Sequence, residues 1–161
     1  MQVLVAVSSR HGGTRELGDQ VAQALAARGH EVDQIEPDDV EHVHRYDAVV
    51  LGTSVYVGRA GLDLKDLVER QGALLRDRPV WLFWSGPATD EPARVGTPED
   101  VEQVAREVRA TATRVFGGRV QPEALSITER SLVALVPVEP GDHRDLSAAY
   151  AWGEEIASAL T

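Results

Sequence analysis

Short apolar runs alternate with amphipathic segments along the chain. Continuous apolar runs predict buried strands, because a strand that is covered on both faces needs no polar side. Five segments are predicted as strands, at residues 2–7, 31–35, 47–53, 79–84 and 113–120. The second of them alternates polar and apolar positions, which suits an edge strand. The last is broken by Gly117 and Gly118.

Helices are predicted where apolar residues recur every three or four positions. Four such segments lie at residues 14–28, 62–76, 123–136 and 145–160. Gly29 follows the first of them as a C-terminal stop. Another helix is predicted to start at Thr97, with Pro98 at its first position and Asp100 completing a capping box. Its buried stripe is predicted to comprise Val101, Val104, Ala105, Val108 and Ala112.

Strands that alternate with helices predict a parallel sheet with helices on both faces. In such a sheet, ligands bind beyond the carboxyl ends of the strands. The turns that follow the strands are therefore the places to search for a site. They are residues 8–13, 54–59, 85–96 and the Gly117-Gly118 region.

The first of these turns has the composition of an anion site. Ser9 and Thr14 supply hydroxyl groups, and Gly12 and Gly13 permit close approach of the backbone. Backbone N–H groups at the start of the following helix add further donors. The turn matches neither GxGxxG nor GxxxxGK[ST], which disfavours a dinucleotide fold of that type and the hydrolysis of nucleoside triphosphates. A monophosphate cradle remains, and the alternative is a strand-to-helix turn with nothing bound.

Composition excludes several other classes of protein. The 161 residues contain no cysteine, which rules out disulfides, iron–sulfur ligation and cysteine nucleophiles. The net charge of −10 disfavours nucleic-acid partners and tight docking on an anionic membrane. His42 and His44 lack a third ligand, so no metal site is predicted. No signal peptide or membrane span is apparent, and residues 1–161 are predicted to form a single domain of a soluble cytoplasmic protein.

The first turn also resembles a known family. Ser9-Arg10-His11-Gly12-Gly13-Thr14 matches the Ser/Thr-x-x-Gly-x-Thr phosphate loop of the flavodoxin superfamily. The longer run 8–16 looks most like the flavodoxin-like, menaquinone-dependent protoporphyrinogen oxidases, and the resemblance continues at residues 50–59, 81–87 and 114–118. It implies a flavodoxin-like three-layer α/β/α sandwich, with a five-stranded parallel sheet in the order 2-1-3-4-5. It also implies noncovalently bound FMN.

The resemblance assigns the FMN-binding residues to three turns. The phosphate side comprises Ser9, Arg10, His11, Gly12, Gly13 and Thr14. One wall of the flavin slot comprises Thr53, Ser54, Val55, Tyr56 and Gly58, and the other comprises Ser85, Gly86 and Pro87. Tyr56 either stacks on the ring or is a half-buried surface tyrosine, and Trp84 is either a core residue or a flavin partner. Gly52 is expected to ease the exit of the chain from its strand.

The implied function is redox chemistry carried by FMN, with no indispensable acid or base from the protein. In the family reaction, hydrogens pass from protoporphyrinogen IX to menaquinone, and a transient contact with a membrane surface would give access to the quinone. Arg59, Arg119 and Arg130 are the candidates for binding the porphyrin carboxylates. The alternative for Arg59 is an ion pair with Asp63. Alternative functions are an electron carrier that docks redox proteins through an acidic face, and a fold that binds no flavin.

Overall fold

The computed structural model describes residues 1–10, 12–120 and 141–161. Within these residues, a five-stranded parallel sheet has the order β2-β1-β3-β4-β5. Its strands are β1 (Gln2–Ser8), β2 (Glu31–Gln34), β3 (Ala48–Ser54), β4 (Val80–Ser85) and β5 (Ala112–Phe116). The predicted strand order and the flavodoxin-like α/β/α fold are confirmed.

Helices cover both faces of the sheet, because successive side chains of a strand point to opposite faces. The helices are α1 (Gly13–Ala27), α2 (Leu62–Arg76), α3 (Glu99–Val108) and α4 (Leu146–Ala159). On β1, Val3, Val5 and Val7 pack with α1 and α4, whereas Leu4 and Ala6 pack with α2 and α3. None of the described helices combines the length and the apolar character needed to cross a membrane.

Helix α3 differs from its prediction at both ends. Thr97 does not cap it; Pro98 is the residue before the first turn and has an extended backbone. Asp100 makes no capping box, because its carboxylate accepts the Ala60 N–H at 2.8 Å and pairs with Lys65 at 2.5 Å. Arg109 adopts a left-handed conformation and ends the helix, so Ala112 belongs to β5 instead of the helical stripe.

The predicted last strand also ends early. β5 stops at Phe116, and residues 119–120 form a separate strand, β6 (Arg119–Val120). This strand pairs in an antiparallel manner with β7 (Gly141–Asp142). The reason is the pair of glycines after Phe116, which lie against the backbones of neighbouring segments. The predicted helix at residues 123–136 lies outside the described residues.

Gly52 has a different role from the one expected. It lies inside β3, where the register pairs it with Phe83 of β4. A Cβ atom at Gly52 would lie 2.3 Å from Cζ of the Phe83 ring. Glycine is therefore required here by the packing of a core aromatic, and it does not ease the exit of the chain.

Candidate functional site

The turn between β1 and α1 presents the open end of a helix. Gly12 precedes α1 in a left-handed conformation, with φ of +82°. It has no side chain with which to cap the first turn, so N–H groups at this end remain for a ligand. Partial positive charge at a helix N-terminus favours an anion. The local geometry therefore suits the phosphate group predicted from the sequence.

Ser9 adds a donor that the described part of the chain does not use. Its Oγ atom is buried and has no hydrogen-bond partner among the described residues. A buried hydroxyl without a partner costs about 1–3 kcal/mol, so its position is explained best by a ligand that accepts its hydrogen bond. Arg10 is exposed beside it, and His11 lies outside the described residues.

Thr14 and Ser85 connect this turn to the centre of the sheet. Their hydroxyl oxygens are 2.7 Å apart, and both residues are buried. The predicted hydroxyl donor of Thr14 therefore already has a protein partner. Gly13 opens α1 beside it.

The second turn is a tight hairpin. The backbone N–H of Tyr56 donates to the carbonyl of Arg59 at 3.0 Å, and the N–H of Arg59 donates back at 2.8 Å. Val57 and Gly58 between them have φ of +48° and +76°, the signs expected for a type I′ turn. A β-branched residue in the left-handed region is strained by about 1–3 kcal/mol, and such strain concentrates at functional sites. Val57 is not among the residues predicted for the site, because a valine is not expected in the left-handed conformation that this turn requires.

A cleft separates the second turn from the third. We call it the inner cleft; its volume is about 530 Å³. It is lined by the predicted flavin-wall residues Val55, Gly58, Gly86 and Pro87, together with Val57, Trp84, Ala88, Thr89, Glu91, Arg94, Val95 and Pro98. Trp84 is buried in the core beneath it, so this tryptophan is a core residue that also lines the cleft.

A second cavity lies on the other side of the same turn. We call it the outer cavity; its volume is about 730 Å³. It is lined by Ser8, Ser9, Arg10, Asp38, Ser54, Tyr56, Val57, Arg59, Ala60, Gly61, Leu62, Asp63 and Lys65. Val57 lines both spaces, so the hairpin is the wall between them. Ser54 and Tyr56 line the outer cavity and are absent from the lining of the inner cleft.

The charged residues of the outer cavity are not equivalent. Asp63 accepts hydrogen bonds from the Ser8 hydroxyl and from the Leu64 N–H. Asp63 does not form the alternative ion pair with Arg59, and the charge of Arg59 acts instead on Asp100, which is paired with Lys65. Arg59 is exposed, which leaves its donors available to a ligand.

Thr53 has a structural role near the end of β3. Its hydroxyl accepts the Gly61 N–H at 2.9 Å and donates to the Ser54 carbonyl at 2.8 Å. Its side chain is buried, so it holds the entry to α2 in place. The Thr53 hydroxyl is therefore not free to donate to the flavin ring, as the predicted contact would require.

The remaining predicted substrate residues are not grouped with Arg59. Arg119 pairs with Glu16 at 3.9 Å, and a Cβ atom on Gly13 would lie 3.8 Å from its Nε atom. It therefore lies against the phosphate turn, and Arg130 lies outside the described residues. The described part of the chain contains no group of three side chains that suits a metal ion.

Comparisons with known proteins agree with this architecture. A family model described as a flavodoxin domain matches residues 4–147, whereas the comparison with curated proteins gives no match. Flavodoxin 1 from Bacillus cereus superposes with a TM-score of 0.70 at 15% identity, covering 100% of both chains. A flavodoxin from the domain Archaea gives 0.66 at 16% identity over 99% of each chain. The flavodiiron protein from Giardia intestinalis gives 0.63 at 14% identity, over 98% of this chain and 35% of that one.

Proposed function

This chain belongs to the flavodoxin domain family, and from that premise we propose that it is an FMN-dependent oxidoreductase similar to the quinone-linked protoporphyrinogen oxidases. FMN is its cofactor, and a flavin supplies electron and hydride transfer when it is bound. The protein's own contribution is to bind the cofactor, to orient it and to admit a substrate. The finer assignment, to a porphyrinogen donor and a quinone acceptor, rests on the outer cavity.

The residues of the three turns fit FMN. The unpartnered Ser9 hydroxyl and the open N-terminus of α1 would hold the phosphate. The inner cleft, between Val55 on one side and Gly86 on the other, would hold the ring. The hairpin at residues 56–59 would border the ring, with Gly58 lining the cleft.

The outer cavity is the observation that favours an enzyme. A protein that exchanges electrons only with protein partners needs an exposed flavin edge. It does not need a cavity of about 730 Å³ that extends from Ser9 of the phosphate turn to Arg59 and Leu62. Arg59 offers a planar fork that suits a carboxylate, and Tyr56 and Leu62 offer apolar surface in the same cavity. An organic anion with an aromatic or aliphatic body matches this combination. Porphyrinogen carboxylates and an apolar macrocycle have that chemistry.

The phosphate assignment is tested by Ser9→Ala. We expect the affinity for FMN to fall about tenfold, because a hydrogen bond to a charged group contributes about 1.5–3 kcal/mol. Riboflavin lacks the phosphate, so its affinity should be unchanged. The stability of the apoprotein should not fall, since the removed hydroxyl has no partner in the parts of the chain that the structure describes. Flavin fluorescence titrations and thermal unfolding measure these three quantities.

Ser8→Ala is the matched control, because it removes a neighbouring hydroxyl that has a partner within the protein. Its hydroxyl is bonded to Asp63, so the apoprotein should lose about 1–2 kcal/mol of stability. An equal loss of FMN and riboflavin affinity in Ser9→Ala would contradict the assignment of the phosphate to this turn.

The substrate assignment is tested by Arg59→Ala. We expect KM for protoporphyrinogen to rise about tenfold or more, because a charge-assisted contact to a carboxylate is lost. The affinity for FMN should change much less than KM, since Arg59 belongs neither to the phosphate turn nor to the lining of the inner cleft. The assay follows anaerobic oxidation of protoporphyrinogen with a menaquinone analogue as the acceptor.

Arg45→Ala is the control for a general charge effect. Arg45 is another exposed arginine, 3.7 Å from Asp33 and absent from the lining of both spaces. An unchanged KM in Arg59→Ala would remove the porphyrin from the proposal. If the FMN-loaded wild-type protein does not turn over with this donor and acceptor at all, the electron-carrier function takes its place.

A further inference from the structure

An arginine with a buried side chain joins the phosphate turn to the antiparallel strand pair β6 and β7. The side chain of Arg144 is only 6% exposed. Its Nη1 atom donates to the Gly13 carbonyl at 3.2 Å and to Oε2 of Glu16 at 2.8 Å. Both partners belong to the first turn of α1, where the phosphate would bind.

Asp142 holds the other side of this guanidinium. The Nε and Nη2 atoms of Arg144 donate to its two carboxylate oxygens at 2.9 and 2.8 Å. The backbone N–H of Arg144 donates to the same carboxylate at 3.1 Å. These hydrogen bonds lower the pKa of Asp142 to about 2, so the carboxylate is charged at neutral pH. A bidentate pair of this kind fixes the direction of the guanidinium.

Glu16 carries a negative charge that must be compensated if an anion is to bind at this turn. Its carboxylate lies on the first turn of α1, and the hydrogen bond from Arg144 keeps its pKa below the usual value. A negative charge so close to the turn would repel a phosphate dianion. Arg144 at 2.8 Å and Arg119 at 3.9 Å compensate that charge. The bound phosphate would then meet a set of two carboxylates and two guanidinium groups with no net charge.

We propose that Arg144 is a positioning residue of the phosphate site: it neutralises Glu16 and holds the Gly13 carbonyl, so that the first N–H groups of α1 face the phosphate. The proposal rests on the binding of FMN to this turn. It assigns to Arg144 a selective effect on the phosphorylated flavin, which a purely structural ion pair would not have.

The central test is Arg144→Met, titrated with FMN and with riboflavin by flavin fluorescence. We expect the Kd for FMN to rise about tenfold or more, because Glu16 and Asp142 then face only one cation, Arg119, and the set beside the phosphate becomes negative. The Kd for riboflavin should stay within about threefold of the wild-type value, since riboflavin carries no phosphate charge. The effect on FMN should shrink in high salt, which screens the exposed part of the repulsion.

Two further variants test whether the loss of FMN affinity comes from charge repulsion or from a folding defect. In Glu16→Gln/Arg144→Met one carboxylate, Asp142, and one guanidinium, Arg119, remain, so the set again has no net charge and the Kd for FMN should return to within about threefold of wild type. Arg144→Lys keeps the charge but lacks the fork, and it should lose less FMN affinity than Arg144→Met. Thermal unfolding of each apoprotein separates these effects from loss of structure.

Arg28→Met is the matched control at the other end of α1. Arg28 pairs with Glu154 at 3.3 Å, far along the helix from Gly13, and its loss should leave both flavin affinities unchanged.

The outcomes separate the two proposals. Equal losses for FMN and riboflavin in Arg144→Met, or a double variant no better than the single one, would overturn the positioning role while FMN binding stands. A wild-type protein that binds neither flavin would overturn the proposed function itself, and the positioning role with it.

Discussion

Replacing Phe83 by alanine should lower the free energy of unfolding by about 3–5 kcal/mol, the usual cost of removing a fully buried aromatic side chain. Phe83 is completely buried. Its ring makes edge-on contacts with Phe116 at 5.8 Å and with Trp152 at 5.9 Å between centroids. These contacts join β4, β5 and α4, so the variant loses packing as well as apolar burial. Urea unfolding followed by circular dichroism measures the change.

Gly52 provides the internal control for this prediction. In the wild-type protein, Gly52→Ala places a methyl group 2.3 Å from the Phe83 ring, and such overpacking costs about 1–3 kcal/mol. In the Phe83→Ala background the same methyl group enters the vacated space, so Gly52→Ala should be neutral or stabilising. Strict additivity of the two changes would contradict the contact between these residues.

Most of the sheet could be predicted from the sequence, because its strands are covered on both faces. The continuous apolar run of β4 is typical of such a strand, and its alternate residues go to opposite cores. The start of α3 could not be predicted in the same way. Asp100 has the spacing of a capping residue, but its carboxylate binds Ala60 and Lys65, which are distant in sequence. A local pattern gives no signal for such contacts.

The candidate site likewise has one part that a local sequence pattern predicts and another part that only the fold brings together. The turn between β1 and α1 is local, so the order of Ser9, Gly12 and Thr14 in the sequence predicts it as a candidate phosphate site. The hairpin that brings Tyr56 into the outer cavity contains Val57 in a left-handed conformation, which β-branched residues seldom adopt, so residue type does not predict it. Arg144 reaches a carbonyl 131 positions away in the sequence, so only the fold brings it to the turn.

The ring side of the site depends on close contacts between backbones. Gly86 has φ of +152°, and a Cβ atom there would lie 2.6 Å from the Val55 carbonyl oxygen. On its other side, a Cβ atom at Gly118 would lie 2.9 Å from the Gly86 Cα atom. The Gly118 N–H donates to the Pro87 carbonyl at 3.0 Å, and the Val55 N–H donates to the Ser85 carbonyl at 2.8 Å. Gly86 is thus enclosed by backbone, which cannot move aside as a flexible side chain does.

Gly86→Ala should therefore lower the affinity for FMN and for riboflavin alike, by about a hundredfold. Backbone strain and overpacking each cost about 1–3 kcal/mol, and about 1.4 kcal/mol corresponds to a factor of ten. The third turn must move away from Val55, and this movement changes the width of the inner cleft that would hold the ring. Titration of both flavins by fluorescence, with thermal unfolding of the apoprotein, measures the effect.

Gly96→Ala is the matched control, because it lies at the end of the same turn and a Cβ atom there meets nothing within 4 Å. It should leave both affinities unchanged. The comparison with Ser9→Ala is the decisive one: a defect on the phosphate side affects FMN alone, whereas a defect on the ring side affects both flavins. A loss confined to FMN in Gly86→Ala would show that the ring does not lie in the inner cleft, since riboflavin carries the same ring without the phosphate.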